Sequence, residues 1–326
     1  MVLSLDTELA AAVAPFLSSL SNMPKPAVHD IQTRRQNLAV FTNHATSPPP
    51  PIPDGVEQKI LSVTAQDGHV IPLWRIARKP DTVPTQNTPG PAVLFMHGGG
   101  FIALSVAPFA EELRALALAS GVAIYAVDYR LAPEHPYPTP LDDCWAALRH
   151  IHDNAGALGV DAARIGVMGD SAGGNLAAGV ALLARDRRLA PPLARQILAY
   201  PMLDDRNDEA VAPETLTLWN EEDNVTGWTA YLGAEAGGDR VPVYAAPGRL
   251  TDAAGLPPLY IYVGQLDLFA KENVRYVSLF LEAGVEVELH LVPGLPHGFN
   301  GLAAEHSATK ELFEHKVRGM KKLAQD

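Results

Sequence analysis

Short apolar runs recur along the chain and are separated by segments whose apolar residues return at helical spacing. Unlike amphipathic strands, these runs show no alternation of polar and apolar residues. A strand that is apolar on both faces must be covered on both faces, so the runs predict parallel strands with helices on either side of the sheet. The fold class is therefore α/β, with strands expected at 92–96, 122–127, 164–169, 196–201 and 258–264.

Two regions show the alternating pattern instead. Segments 57–65 and 69–77 are joined by Asp67-Gly68, a pair that supplies the positive φ angles of a tight hairpin. In segment 285–293, valine and leucine alternate with glutamate and histidine. This second pattern predicts a strand near the edge of the sheet, with one exposed face.

Helical periodicity is clear in two places. Segment 139–151 has apolar residues, Cys144 among them, on one face, with Thr139 as the expected N-cap and Pro140 at the first helical position. Its cysteine is expected in the core. A last helix is predicted over about 304–324, with a buried face formed by Phe313, Val317 and Met320.

Composition and charge narrow the class of protein. The chain has 326 residues, 47% of them hydrophobic, and a formal net charge of −12. An acidic surface repels phosphate backbones, so a nucleic-acid partner is not expected. The single cysteine excludes an internal disulfide framework, and no apolar stretch is long enough for a membrane span. No Lys or Arg precedes Lys25, which does not fit a secretory signal and favours a cytoplasmic enzyme.

The most chemically specific segment is Gly169-Asp170-Ser171-Ala172-Gly173. It follows an apolar strand and precedes an alanine-rich helix, which is the setting that a G-x-S-x-G nucleophile turn requires. Small neighbours allow a sharp turn that lifts the serine to the carboxyl end of the sheet, near a helix N-terminus. The alternative is an ordinary capping serine. The context favours Ser171 as a nucleophile.

A serine nucleophile needs a base, and the base needs an orienting acid, in the chain order Ser, acid, His. Asp267 lies three residues past the strand at 258–264 and is the favoured acid. The competing candidates, Asp204 and Asp205, also follow a strand. They are interpreted as part of a solvated acidic loop, which comprises Asp204, Asp205, Asp208 and Glu209.

The expected base is His297, which lies in a loop after the following strand, between a proline and a glycine. Five other histidines fall on helices or on the polar face of a strand, and the two of them that lie two residues apart on one helix suit neither a triad nor a shared metal. These are His150, His152, His290, His306 and His315.

The glycines of His97-Gly98-Gly99-Gly100 follow the apolar strand at 92–96. Attack on an ester carbonyl creates an oxyanion that needs preoriented N–H donors, and glycines allow close backbone approach. The expected donors are Gly99, Gly100 and Ala172, the residue after the nucleophile. Neither glycine-rich phosphate-binding pattern is present in this loop.

The sequence resembles hormone-sensitive-lipase-type α/β-hydrolases, the bacterial family IV esterases. The matching motifs, in the family's order and over about 55–326, are HGGGF, YRLAPEHPYP, GDSAGGN and HGF. The resemblance implies a triad of Ser171, Asp267 and His297, in the subgroup with GDSAG. One motif departs from the pattern: the family's DPLRDE is DLFAKE here, which removes the proline after the acid.

The resemblance also implies a helical cap over the active site. It would comprise an N-terminal segment, 1–50, ended by a proline-dense stretch, and an insertion at about 205–250 in a catalytic domain of 51–326. Trp219, Trp228 and Tyr231 lie in that insertion and are expected either to line the pocket or to form its core. Glu134 and Asp142 are expected to tether the loop near the oxyanion glycines.

The function predicted from these residues is hydrolysis of small carboxylic esters of short to medium acyl length through an acyl-enzyme. No cofactor or metal is implied, and the expected partner is the ester itself. The oligomeric state, including a homodimer, is left open. An amide, lactone or carbamate hydrolase is the alternative within enzymes, because the same triad serves all acyl transfers. A ligand-binding homologue without activity is a further alternative, which the presence of His297 disfavours.

Overall fold

One mixed sheet of eight strands organises the protein. The computed structural model describes residues 3–17, 22–46, 51–79, 88–206 and 218–325. The strand order across the sheet is β1-β2-β4-β3-β5-β6-β7-β8. The strands are β1 (Val56–Thr64), β2 (Val70–Arg78), β3 (Gly90–Met96), β4 (Ala123–Val127), β5 (Val160–Asp170), β6 (Arg195–Ala199), β7 (Leu259–Gly264) and β8 (Val287–Val292).

Helices cover the sheet, and the apolar strands predicted from the sequence form its centre. Strands β3 to β8 pair with one another in parallel, and β3, β6 and β7 are buried along most of their length, as the unbroken apolar runs indicate. The helices are α1 (Thr7–Val13), α2 (Ile31–Thr46), α3 (Ala110–Ser120), α4 (Thr139–Asp153), α5 (Ala155–Leu158), α6 (Ala172–Asp186), α7 (Glu221–Leu232), α8 (Ala270–Glu282), α9 (Phe299–Leu302) and α10 (Ser307–Lys322).

The hairpin prediction is confirmed. Strands β1 and β2 are antiparallel and pair from Thr64–Val70 outward. In the turn, the Asp67 carboxylate accepts a hydrogen bond from the backbone of His69, and Gly68 has a φ of 87°. β2 also pairs antiparallel with β4, so the hairpin is joined to one side of the parallel strands.

Helix α4 forms where the periodicity predicts it, and Cys144 is fully buried. The predicted cap is wrong by one residue. Pro138 occupies the N-cap position without a side-chain hydrogen bond, and Thr139 is the first helical residue. The N–H groups of the first helical turn have no partner within the helix, so prolines, which lack an N–H, are tolerated there. The helix can therefore begin after a proline, without a polar side chain as its cap.

The edge-strand prediction is confirmed for β8, which among the described residues pairs with β7 alone. The expected single exposed face is wrong, because the polar Glu288 and His290 are half-buried whereas the apolar Leu291 is 40% exposed. An edge strand has a neighbour on one side only, so neither face is fully covered.

Helix α10 also departs from its predicted pattern. Met320 is fully buried, whereas Phe313 and Val317 are only half-buried. The buried face includes two polar residues, His315 and Lys316. Their partners lie on other elements, so periodicity of apolar residues cannot reveal this face.

The N-terminal helices and α7 make charged contacts with each other and with the rest of the fold. Arg34 of α2 forms a buried ion pair with Asp223 of α7, 2.8 Å between Nε and Oδ1. Near the amino terminus, the Asp6 carboxylate lies 2.9 Å from His306 Nε2, at the start of α10. The proposed boundaries of the cap at 1–50 and 205–250 stay predictions, and residues 47–50 and 207–217 lie outside the described residues.

Candidate active site

Ser171 lies at the turn between β5 and α6, at the carboxyl end of the central strand. Its φ of 57° and ψ of −121° are a strained conformation for a residue with a side chain. A Cβ on Gly169 would lie 2.2 Å from the carbonyl oxygen of Gly173, and one on Gly173 would lie 2.1 Å from that of Met96. The turn therefore requires the two glycines of the G-x-S-x-G motif.

The three residues expected from chain order meet in space. Ser171 Oγ is 2.9 Å from His297 Nε2, and His297 Nδ1 is 2.7 Å from Asp267 Oδ2. All three are buried, and the second Asp267 oxygen accepts a hydrogen bond from the backbone N–H of Phe269 at 2.8 Å. Asp267 follows β7, as predicted, despite the altered DLFAKE motif.

Two aromatic rings pack against the imidazole of His297. The rings of Tyr200 and Phe269 each meet it edge-on, at centroid distances of 4.9 Å. Gly298, which follows, adopts a φ of 66° and begins α9.

The glycine loop after β3 borders the same site. Gly99 and Gly100 line the cavity above Ser171 and have φ values of 120° and 59°. The Tyr129 hydroxyl donates to the carbonyl oxygen of His97 at 2.7 Å and so fixes the start of the loop. Ala172 is fully buried directly after Ser171. The assignment of Gly99, Gly100 and Ala172 as oxyanion donors stays a prediction.

Asp204 and Asp205 do not form the solvated loop that the sequence suggested. They are 7% and 1% exposed. Asp204 pairs with Arg206, and Asp205 receives two hydrogen bonds from the Arg249 guanidinium. The prediction of a solvated loop was wrong because the partner of Asp205, Arg249, lies far along the chain. The remaining acids of that run, Asp208 and Glu209, lie outside the described residues.

Glu272, the last residue of DLFAKE, acts on the loop after β6. Its carboxylate accepts from the backbone N–H of Leu203 at 2.5 Å. Burial raises the pKa of Glu272 well above its usual range. The glutamate of the motif therefore supports the neighbouring strand end rather than Asp267.

One of the two predicted tethers forms and the other is wrong. Both oxygens of Glu134 accept from the Arg35 guanidinium, which also donates to the carbonyl oxygen of Ile102 in the glycine loop at 2.6 Å. This pairing lowers the pKa of Glu134 to about 2. The second tether is Asp143, not Asp142: its fully buried carboxylate accepts from the backbone and the guanidinium of Arg130. Adjacent helical residues point in different directions, so only one of the two aspartates can face Arg130.

A cavity of about 270 Å³ opens over Ser171. Of the three aromatic residues left open by the sequence, Trp219 lines this cavity, whereas Trp228 and Tyr231 are fully buried. The Tyr231 ring stacks on Phe101 with 4.2 Å between centroids. Trp219 thus belongs to the pocket, and the other two belong to the core beneath it.

Two clusters in the described residues bring histidine together with carboxylates outside this site. In the first, His306 has both ring nitrogens engaged, by Asp6 and by the backbone N–H of Ala308. In the second, His290 and Glu288 lie beside His315 on the outer edge of the sheet, and Arg318 donates to the same glutamate. The absence of a metal or cofactor from the reaction stays a prediction.

Sequence reasoning missed a charged cluster directly behind the nucleophile. Lys316 of α10 lies 2.9 Å from Asp170 Oδ2 and 2.9 Å from Glu112 Oε1. It also missed Tyr200, whose hydroxyl donates to Asn300 at 2.7 Å beside the cavity. Tyr200 could have been noticed because it follows an apolar strand. Nothing in the pattern of α10 distinguishes Lys316 from a surface lysine.

The chain is similar to known proteins in both sequence and structure. A family model described as the alpha/beta hydrolase fold matches residues 93–301. Esterase LipI of Mycobacterium tuberculosis is 37% identical over 248 residues, which cover 76% of this chain and 77% of that protein. The ethyl acetate hydrolase of Pseudomonas putida is 32% identical over 304 residues, covering 91% and 92%. A solved structure, a bacterial heroin esterase, has a TM-score of 0.87 at 34% identity and covers 99% of both chains.

The chain therefore belongs to the α/β-hydrolase family, in its hormone-sensitive-lipase-like group. Within that family it is an enzyme, a serine hydrolase of the carboxylesterase class. In the described part of the chain, no helix is long and apolar enough to cross a membrane.

Proposed function

We propose that the protein hydrolyses carboxylic esters of short to medium acyl length through an acyl-enzyme formed on Ser171. The observation that carries this proposal is the continuous hydrogen-bonded chain from Ser171 Oγ through the His297 ring to Asp267. It lies buried at the carboxyl ends of parallel strands, at the floor of a cavity of about 270 Å³.

The hydrogen bonds within the triad assign a role to each of its residues. Because Asp267 Oδ2 is an acceptor, His297 carries its proton on Nδ1 and presents a lone pair at Nε2 to the Ser171 hydroxyl. His297 takes the serine proton as Oγ attacks the ester carbonyl, and then passes it to the leaving alcohol. In the second half of the reaction it takes a proton from a water molecule that attacks the acyl carbonyl, and it returns this proton to Ser171 Oγ as the acyl–Oγ bond breaks and the carboxylic acid leaves. Asp267 stabilises the imidazolium in both halves.

The developing oxyanion is held by backbone donors. Gly99, Gly100 and Ala172 are assigned this role, because the first two line the cavity and the third begins α6, where the helix dipole favours negative charge. Preoriented backbone N–H groups need no reorganisation during the reaction, which is why a rigid glycine loop suits the task. Residues 1–50 and 205–250 are proposed as the cap over this site.

The alternatives carry less support. An amide, lactone or carbamate hydrolase would use the same groups, and the ester substrates implied by the relatives' names favour esters. A binding protein without activity would have no need of the Ser171–His297 contact.

The experiment is Ser171→Ala assayed with p-nitrophenyl acetate. We expect kcat to fall on the order of 10⁴-fold or more while the protein stays folded, since the nucleophile is lost. An organophosphate should modify Ser171 in the unaltered protein, as judged by peptide mass spectrometry. Modification of a different serine, or substantial turnover by the variant, would contradict the proposal.

A further inference from the structure

The cavity has a charged corner that the hydrolytic mechanism does not use. Asp170 and Glu112 both line it. Lys316, whose side chain is 1% exposed, bridges their carboxylates from behind with one Nζ contact of 2.9 Å to each. The two acids therefore lie between the Lys316 ammonium and the cavity, and they line the cavity in its place.

Each acid keeps an oxygen that Lys316 does not occupy. Asp170 Oδ1 is buried and has no hydrogen-bond partner among the described residues. Glu112 binds Lys316 through Oε1 and leaves 30% of its side chain exposed. A buried carboxylate oxygen without a partner is costly, and a positive charge held in the cavity lowers that cost through space, without direct contact with the buried oxygen.

The charge of the corner is negative. Two carboxylates share one ammonium, and in the described part of the chain no arginine or lysine lines the cavity. Burial raises the pKa of Asp170 to about 6, so this group is ionised at neutral pH. Burial, with the nearby charges of Asp170 and Glu112, raises the pKa of the Tyr200 phenol well above its usual range, which keeps that ring neutral.

The other walls of the cavity suit the same kind of ligand. Phe109, Tyr200 and Trp219 all line it. Aromatic faces attract an organic cation through the ring quadrupole, and they also pack against its methyl groups. A cavity lined by both carboxylates and aromatic rings suits a charged group with an apolar shell.

We propose that this corner, formed by Asp170 and Glu112, is a binding site for an organic ammonium group carried on one limb of the ester substrate. The proposal rests on the proposed function, because it assigns a substrate class to the same cavity. It makes Glu112 a specificity-determining residue, while Lys316 holds the two carboxylates in place.

The test compares esters that differ only in charge. One pair is acetylcholine and 3,3-dimethylbutyl acetate, in which a carbon atom replaces the nitrogen. This pair varies the charge on the alcohol limb. The other pair is p-nitrophenyl trimethylammoniobutyrate and its carbon isostere, which varies the acyl limb. For each pair, kcat/KM of the charged ester is divided by kcat/KM of the neutral ester. This ratio is then divided by the ratio of the two rate constants for hydroxide-catalysed hydrolysis, which corrects for the difference in intrinsic reactivity of the two esters.

We expect the corrected ratio to be about tenfold or more for at least one pair, the size expected for a contact with a charged group. Glu112→Gln should lower that ratio by about tenfold, since glutamine is close in shape but lacks the charge. Glu111→Gln is the matched control: it removes the same charge one residue away, on an exposed position outside the cavity. It should leave the ratio unchanged.

Corrected ratios within about twofold of unity for both pairs would overturn the proposal, as would equal ratios in the two variants. If Glu112→Gln does not fold, the ratios of the unaltered protein decide the question. Calorimetric titration of the same esters into Ser171→Ala separates this proposal from the proposed function. Tighter binding of the charged ester is expected there even if no ester is turned over, and equal binding would count against the ammonium site.

Discussion

At the scale of single residues, the site depends on a carboxylate that is buried away from water. Asp267 is 3% exposed, and desolvation of a charge is costly unless hydrogen bonds replace the lost water. The Phe269 N–H and the His297 ring supply those bonds, one to each oxygen. Both side-chain atoms of residue 267 must accept a hydrogen bond. An aspartate has two acceptor oxygens, whereas an asparagine has only one.

This leads to a prediction for Asp267→Asn. The amide group presents an N–H towards His297 or towards Phe269, so the histidine loses its preferred tautomer. We expect kcat for p-nitrophenyl acetate to fall roughly 10³- to 10⁴-fold. The control is Asp204→Asn, a second buried aspartate after a strand, whose partner is Arg206. A larger loss in the control would place the acid elsewhere.

The glycine loop gives a second prediction at this scale. A Cβ on Gly99 would lie 2.1 Å from the carbonyl oxygen of Ala103, a backbone atom that cannot move alone. On Gly100 it would lie 1.9 Å from the ring of Trp219, a side chain. Both residues have positive φ.

We therefore expect Gly99→Ala to lower both the yield of folded protein and kcat. Gly100→Ala should fold more readily, displace Trp219, and lower kcat at least tenfold. Circular dichroism, tryptophan fluorescence and p-nitrophenyl acetate kinetics distinguish the two cases. Gly121→Ala is a matched control, because it has φ of 75° and a Cβ there meets nothing within 4 Å, far from the site. Equal activity in all three variants would contradict an oxyanion role for the loop.

At the scale of elements, helix α2 reaches the active site from the N-terminal segment. Leu38 lines the cavity, Arg35 holds the carbonyl oxygen of Ile102, and Arg34 pairs with Asp223 of α7. These contacts connect one part of the proposed cap with the glycine loop and with the other part. The loop conformation thus depends on an element more than 60 residues earlier in the chain.

Removing residues 1–45 tests this dependence. The truncation uncovers apolar surface under α2 and releases the glycine loop, so we expect aggregation, or loss of both activity and acyl-length discrimination. Size-exclusion chromatography and ester kinetics provide the readouts. Deletion of residues 2–4, which include the exposed Leu3 and Ser4, is the control and should leave both unchanged. Unaltered kinetics in the longer truncation would show that the segment is no part of a cap.

At the scale of the whole molecule, the carboxyl end of the sheet, the glycine loop and residues of the proposed cap line one cavity of finite volume. Its volume of about 270 Å³ limits the acyl or alcohol group that can lie over Ser171. Each methylene buried there contributes about 0.8 kcal/mol until the chain reaches the end of the cavity, after which clashes oppose binding.

The expected result is a kcat/KM that peaks at short to medium acyl chains, roughly C2 to C8, and falls sharply beyond. A series of p-nitrophenyl esters from acetate to palmitate measures it, with Trp219→Ala as a variant that enlarges the cavity and should move the maximum to longer chains. Efficient hydrolysis of long-chain triglycerides by the unaltered protein would contradict an enclosed pocket.

Local information in the sequence accounts for most of the architecture and for the triad candidates. The unbroken apolar runs require a covered parallel sheet, and the Asp67-Gly68 turn requires a hairpin. The strained turn at Ser171 can form only between glycines. These features depend on the backbone preferences of neighbouring residues, so a few adjacent positions are enough to predict them.

Charged partners were decided only by the tertiary structure. Asp205 with Arg249, Asp143 with Arg130, and Lys316 with Asp170 each join residues whose spacing carries no periodic signal. The same acidic residue can lie in a solvated loop or in a buried ion pair, because its burial depends on which distant element packs against it. The sequence determined where a nucleophile turn could form, and the packing of α3 and α10 behind it decided that this pocket would be acidic.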